Sequence, residues 1–184
     1  ASQNMEKHDV SIKLLGDWNA NENGKFHSVN YANAPDSFSN NGGFRIAAKK
    51  KVNIDLNGYG IYAPTNDKGA TIFVLGEEKG TDNPGQNALS IYSNTDASAY
   101  SAHPNQIFGG NHAICVAGQG SVTSLKNITI SDTAQDAIYT WLSCGCRSKL
   151  NVDGCTIQNT KNGSGISLNE NYKQVYGNPT YNYG

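Results

Sequence analysis

What this chain has little of narrows the possibilities first. Charged residues make up 16% of its 184 residues, and 14 basic against 15 acidic side chains leave a formal net charge of -1. That balance supplies no basic field of the kind nucleic acid or an anionic membrane requires, so neither is expected as a partner. No run of 18 apolar residues occurs, so no membrane insertion by this segment is expected. Nor is there a 3.6-residue apolar stripe of helical length, and the composition leans to Asn, Ser, Thr, Gly and Tyr instead of the Glu, Lys, Ala and Leu of helical surfaces. Residues Ala1-Ser2-Gln3-Asn4-Met5 lack the charged start and apolar centre of a signal peptide. They are expected to be a mature start left after a signal was removed.

Cysteine is missing from the first half. Cys115, Cys144, Cys146 and Cys155 all fall in the second. Cys144-Gly145-Cys146 is one residue tighter than the usual C-x2-C thiolate pair, and no His or Cys completes a metal site, so no metal and no cofactor are expected. Disulfides that staple the 143–148 loop to a neighbouring segment are the preferred reading, with the pairing open.

What the chain does have is a loose repeat. Leu125-Lys126-Asn127-Ile128-Thr129-Ile130-Ser131-Asp132-Thr133, then Ala137 to Leu142, returns as Leu150 to Thr160, then Gly165 to Leu168. Ile130 and Ile157 are 27 apart, as are Asp132 and Asn159, while Ile114, Ile138 and Ile166 step by 24 and 28. Each unit reads as two short strands that alternate apolar and polar residues, closed by a polar turn. Such a unit cannot bury its apolar side alone, and stacking copies at strand spacing solves that problem.

Earlier units are stretched. Residues 10–15, 51–57, 60–63, 71–75 and 88–93 read as strands, separated by insertions at 64–69, 76–87 and 94–112. Residues 1–43 are expected to form an N-terminal cap and first coil, and 44–184 the remaining coils. No closing element follows Leu168, which points to a fragment of a longer solenoid.

Ser131-Asp132-Thr133 before Ala137-Ile138, Gln158-Asn159-Thr160 before Gly165-Ile166, and Ser93-Asn94-Thr95 resemble the turns of the pectate-lyase-like right-handed parallel β-helices, in the version found as passenger domains of Gram-negative autotransporter adhesins. The resemblance covers about 50–168. It implies an all-β solenoid with a turn ladder at Asn94, Asp132 and Asn159, secreted to the bacterial cell surface and anchored in the outer membrane through a region outside this chain. Asn and Asp suit such turns because they tolerate left-handed backbone and satisfy nearby amides.

A lyase or glycosidase on such a scaffold needs gathered carboxylates. Asp132, Asp136 and Asp153 are the candidates, with Arg147 and Lys149 near in sequence, but Asp132 and Asp153 read as turn residues and no catalytic residue is assigned. His8, His27, His103 and His112 are read as surface or turn residues. Alternation places Cys115, Tyr139, Trp141 and Ser167 outward on one face, so Tyr139 and Trp141, with Tyr92, are the candidate binding residues; an insertion loop covering them is the alternative. The expected function is a non-enzymatic adhesin module that binds a host glycan or surface protein, or associates with identical molecules in cell clumping and biofilm. The rival is a polysaccharide lyase, hydrolase or phage-type depolymerase fragment.

Overall fold

The computed structural model describes residues 10–20, 44–46, 51–63, 70–75, 87–117, 121–142 and 149–170. Fifteen strands run through them, and no helix occurs among the described residues. The chain visits three sheets in strict rotation, and every strand pairs in parallel with the strand three before it. Sheet A holds β1 (Val10–Lys13), β4 (Lys51–Asp55), β7 (Asn87–Tyr92), β10 (Ser121–Lys126) and β13 (Lys149–Asp153). Sheet B holds β2 (Trp18–Asn19), β5 (Ile61–Ala63), β8 (Gln106–Gly109), β11 (Thr129–Ser131) and β14 (Thr156–Gln158). Sheet C holds β3 (Phe44–Ile46), β6 (Ala70–Leu75), β9 (His112–Ala117), β12 (Ile138–Leu142) and β15 (Ile166–Glu170). One circuit of three strands is called a coil below, and there are five.

Each repeat therefore carries three strands where two were expected. The unit Leu125 to Thr133 is split by Asn127, which takes a positive φ of 53° and turns the chain from β10 into β11. The next coil makes the same turn at Gly154, φ 60°. A bend this short leaves the apolar alternation almost unbroken, which is why the two strands read as one. The expected insertion at 94–112 likewise contains a strand, β8, and the first residue of β9. Ile107 and the side-chain-less Gly109 are the buried residues of that short strand, too little for a recognisable period.

Alternation does the packing. In sheet A the row Ile12, Ile54, Ile91, Leu125 and Val152 is in register, in sheet B Trp18, Ile61, Ile107, Ile130 and Ile157, and in sheet C Ile72, Ile114, Ile138 and Ile166. The three middle coils bury these side chains completely. The fifth does not: Val152 is 40%, Ile166 41% and Leu168 74% exposed.

One buried position breaks the apolar rule. Thr123 stands in sheet A between Leu89 and Leu150, 1% exposed, and its hydroxyl has no hydrogen-bond partner. An unmet hydroxyl in an apolar column is unfavourable, and valine has nearly its shape. Thr123→Val is expected to raise the unfolding free energy by about 1 kcal/mol. A urea midpoint lower than that of the natural chain would contradict this account.

Candidate functional site

The residues singled out from the sequence do not form one face. Tyr92 closes β7 in sheet A, whereas Tyr139 lies in β12 of sheet C. Trp141 follows two residues after Tyr139 in the same strand, and its side chain lies outside the described atoms. Tyr139 is half-buried and stacks on the ring of His112, with centroids 4.8 Å apart and planes at 22°. Contrary to the surface reading, His112 is only 4% exposed. Its Nδ1 lies 3.0 Å from the Asp136 carbonyl oxygen, which can only accept, so Nδ1 carries the proton. Burial lowers the His112 pKa, opposed by that carbonyl and by the Asp136 carboxylate 3.9 Å away. The imidazole is held neutral, a packing element of this edge.

Cys115, the register partner of Tyr139, is completely buried, and burial pushes its thiol well above the ordinary range. A thiol held protonated is unreactive. Cys115 and Cys155 are both free thiols in this structure, so the disulfide reading finds no bridge at either; Cys144 and Cys146 lie outside the described residues.

Asp132 and Asn159 share one turn position after sheet B, with φ of 59° and 56°. Gly109 precedes them in that row, φ 79°. Asn94 does not belong to it. It follows β7 and opens the long connection from sheet A to sheet B.

Three of the described acids, Asp17, Asp55 and Asp136, are tied into the scaffold by backbone bonds, while the Asp153 carboxylate makes an exposed ion pair. Asp55 accepts the Asn57 amide at 3.0 Å, Asp136 accepts the Ser164 amide at 2.7 Å, and Asp153 lies 3.6 Å from Lys126. Asp17 is the most heavily used. Its Oδ1 accepts the Gly60 amide at 2.9 Å and the Ser101 hydroxyl, and its Oδ2 accepts the Ala102 amide at 2.7 Å.

These bonds define a site that sequence reasoning placed only within an insertion. Residues 93–105 leave the third coil and lie back across the second to reach the first. Ser98 donates its amide to the Gly58 carbonyl at 2.9 Å, and Asn105 accepts the Gly58 amide at 3.0 Å through its side chain. Ser101 and Ala102 close the strap on Asp17. The second coil has glycine where the strap crosses, because a Cβ on Gly60 would sit 2.1 Å from the His103 carbonyl oxygen. Beside it His103 stacks on Phe108, with centroids 4.1 Å apart, and lies 5.1 Å from the Tyr62 ring. Tyr100, at the crest, is 92% exposed. Paired glycines in Asn57-Gly58-Tyr59-Gly60 are the one sequence signal that marks where another backbone approaches.

Burial raises the Asp17 pKa, but bonds from Ser101, Gly60, Ala102 and His103 outweigh it and hold the carboxyl below its ordinary value of 3.8. A depressed folded pKa contributes stability that is full above 3.8 and lost as pH falls through the lower folded value. The strap is therefore expected to loosen only under strongly acidic conditions. Asp17→Asn should mimic this at neutral pH, lowering hydrogen-exchange protection of the Ala102 amide by roughly tenfold or more. Unchanged protection in that variant would rule out Asp17 as the anchor.

No family model matches this chain, and no curated protein and no solved structure matches it either.

Proposed function

We propose that this chain is part of a right-handed parallel β-helix of the pectate-lyase-like kind, displayed on a bacterial surface as an autotransporter passenger, and that it works as a non-enzymatic adhesin module. Strict rotation through three parallel sheets, with Asp132 and Asn159 repeating one left-handed turn, supports the helical reading. Parallel connections within one sheet are almost always right-handed, which favours that hand. Secretion and anchoring through a region outside this chain follow from the same resemblance.

The observation that carries the adhesive reading is the strap at 93–105. It is an irregular loop pinned to three coils through backbone and carboxylate bonds; it presents a nearly fully exposed Tyr100, and its His103 stacks against Phe108 and lies beside Tyr62. An aromatic held on a pre-organised loop buries large area on binding and loses little entropy in doing so. The carboxylates of Asp55 and Asp136 hold turns and that of Asp17 holds this strap, which favours binding over the depolymerase alternative. The partner is a host glycan or surface protein, or a second copy of the chain.

The test is display of the natural chain on a non-adherent bacterium, scored for clumping and for attachment to host cells and immobilised glycans. Adhesion of either kind is expected. Purified protein that stays monomeric at high concentration, together with cells that neither clump nor attach, would overturn the reading. Release of oligosaccharides from a polysaccharide panel would favour the enzyme.

A further inference from the structure

Sheet A turns a polar face outward; two rows of its side chains cross all five coils, and a third register row, of Lys51, Ala88, Val122 and Lys149, crosses coils two to five. One full row is Ser11, Asn53, Ser90, Ser124 and Asn151; the other is Lys13, Asp55, Tyr92, Lys126 and Asp153. All ten are exposed or half-buried, while the alternate positions point into the core. The strap starts at the edge of this face, where the Ser93 amide meets the Lys126 carbonyl at 3.2 Å, and its further bonds run to Gly58, Tyr59 and Asp17, towards sheet B.

The charged row has an order that matters. Read from the first coil to the fifth it runs positive, negative, tyrosine, positive, negative. Read backwards it is its own complement. A two-fold axis parallel to the strands and lying over β7 reverses the coil order of a second copy while keeping each row above itself. Lys13 then meets the partner's Asp153, Asp55 meets the partner's Lys126, and Tyr92 meets the partner's Tyr92. In the other row Ser11 faces the partner's Asn151 and Asn53 faces the partner's Ser124, so amide and hydroxyl oppose each other, with Ser90 on the axis.

We propose that this face is a self-association surface, on which two copies of the chain pair through that two-fold axis. The proposal rests on the adhesin reading and names its partner as an identical molecule. Contacts that are the same patch on both partners close as an isologous dimer. Five strands about 4.8 Å apart, each of four to six residues, present roughly 400 Å² per copy. That is about half the area of a standard stable interface, so a single pair is weak and exchanges readily. Many pairs acting together between two crowded surfaces hold far more strongly than one. A different two-fold axis, along the stack, would set Asp55 against the partner's Lys51 and Asp153 against the partner's Lys149 but leave Lys126 over the apolar position 122, whereas the proposed axis leaves Lys51 over that position instead. In the charged row the proposed axis leaves no charge without an opposite.

The experiment exchanges the two charges beside the axis. In Asp55→Lys the new lysine meets the partner's Lys126, twice per dimer; in Lys126→Asp the new carboxylate meets the partner's Asp55. Each variant alone is expected to self-associate at least about tenfold more weakly in sedimentation, since like charges oppose at the contact. An equimolar mixture of the two is expected to recover association within about threefold of the natural chain, because both pairings become attractive again. Within one chain Asp55 and Lys126 are two coils apart with Tyr92 between them, so the recovery has no intramolecular route. Lys126→Asp also removes the pair with Asp153, whose side chains are 58% and 74% exposed, and the fold should be indifferent to that.

A mixture no tighter than either variant, or a Lys126→Asp protein that associates like the natural chain, overturns the proposal. Displayed variants that clump cells as well as the natural chain leave adhesion intact through another surface and sink only this one. A natural chain that neither clumps nor attaches removes both.

Discussion

Ile114→Ala is expected to lower the unfolding free energy by about 3 kcal/mol, and Ile166→Ala by less than about 1 kcal/mol. The two residues occupy one row of sheet C and differ by two coils. Ile114 is completely enclosed, between Ile72 in the coil before and Ile138 in the coil after. Truncation there loses the transfer energy of the removed carbons and leaves a hollow that a stack of paired strands cannot close. Ile166 already shows 41% of its surface to solvent, so the same truncation leaves no cavity. Urea denaturation of both variants checks the pair of values. Equal losses would show that burial does not rise towards the middle of the stack as described.

The second large effect is expected at Gly109. A Cβ there would stand 1.8 Å from the Ala63 carbonyl oxygen, and φ is 79°. Left-handed backbone alone is not the obstacle, since Asp132 and Asn159 adopt it at the equivalent position with side chains in place. The obstacle is the neighbouring coil. Ala63 is the register partner of Gly109, so its carbonyl can retreat only by opening the β5 to β8 pairing. Gly109→Ala is expected to cost at least about 3 kcal/mol, a large share of the stability of a domain this size. Gly16→Ala, where an added Cβ meets nothing within 4 Å, is expected to stay within about 0.5 kcal/mol of the natural chain. Thermal unfolding of the two side by side decides the matter, and a harmless Gly109→Ala would mean that coils two and three lie farther apart here.

How much of this was legible depended on insertions. In the fourth and fifth coils nothing interrupts the repeat, so the spacing of 27 between Ile130 and Ile157 and between Asp132 and Asn159 returned the register of β11 with β14 and of the turn that follows. In the third coil residues 93–105 separate β7 from β8, and β8 is too short to announce itself, so a strand was absorbed into an insertion. The candidate binding residues fall on separate sheets for another reason. Alternation says that Tyr92 and Tyr139 point away from the core, but not that three sheets exist for them to point from. Asp17 was invisible because its partners lie 43, 84 and 85 residues away, and one carboxylate in an Asn- and Gly-rich stretch carries no local sign of such distant bonds. Register showed the charge order across sheet A, which no linear reading of Lys13, Asp55, Lys126 and Asp153 contains.

The strap also bears on the order in which the molecule assembles. A stack in which each coil touches only its neighbours can form and melt one layer at a time from either end. Asp17 belongs to the first layer, Gly58 and Gly60 to the second, and Ser98 to Ala102 leave from the third. Bonds that cross three layers cannot form until the third is in place, and once formed they bind the first to it. Separation of the first coil from the second is thereby opposed by bonds that reach the third. The strap is thus a latch that engages the first layer only when the third closes.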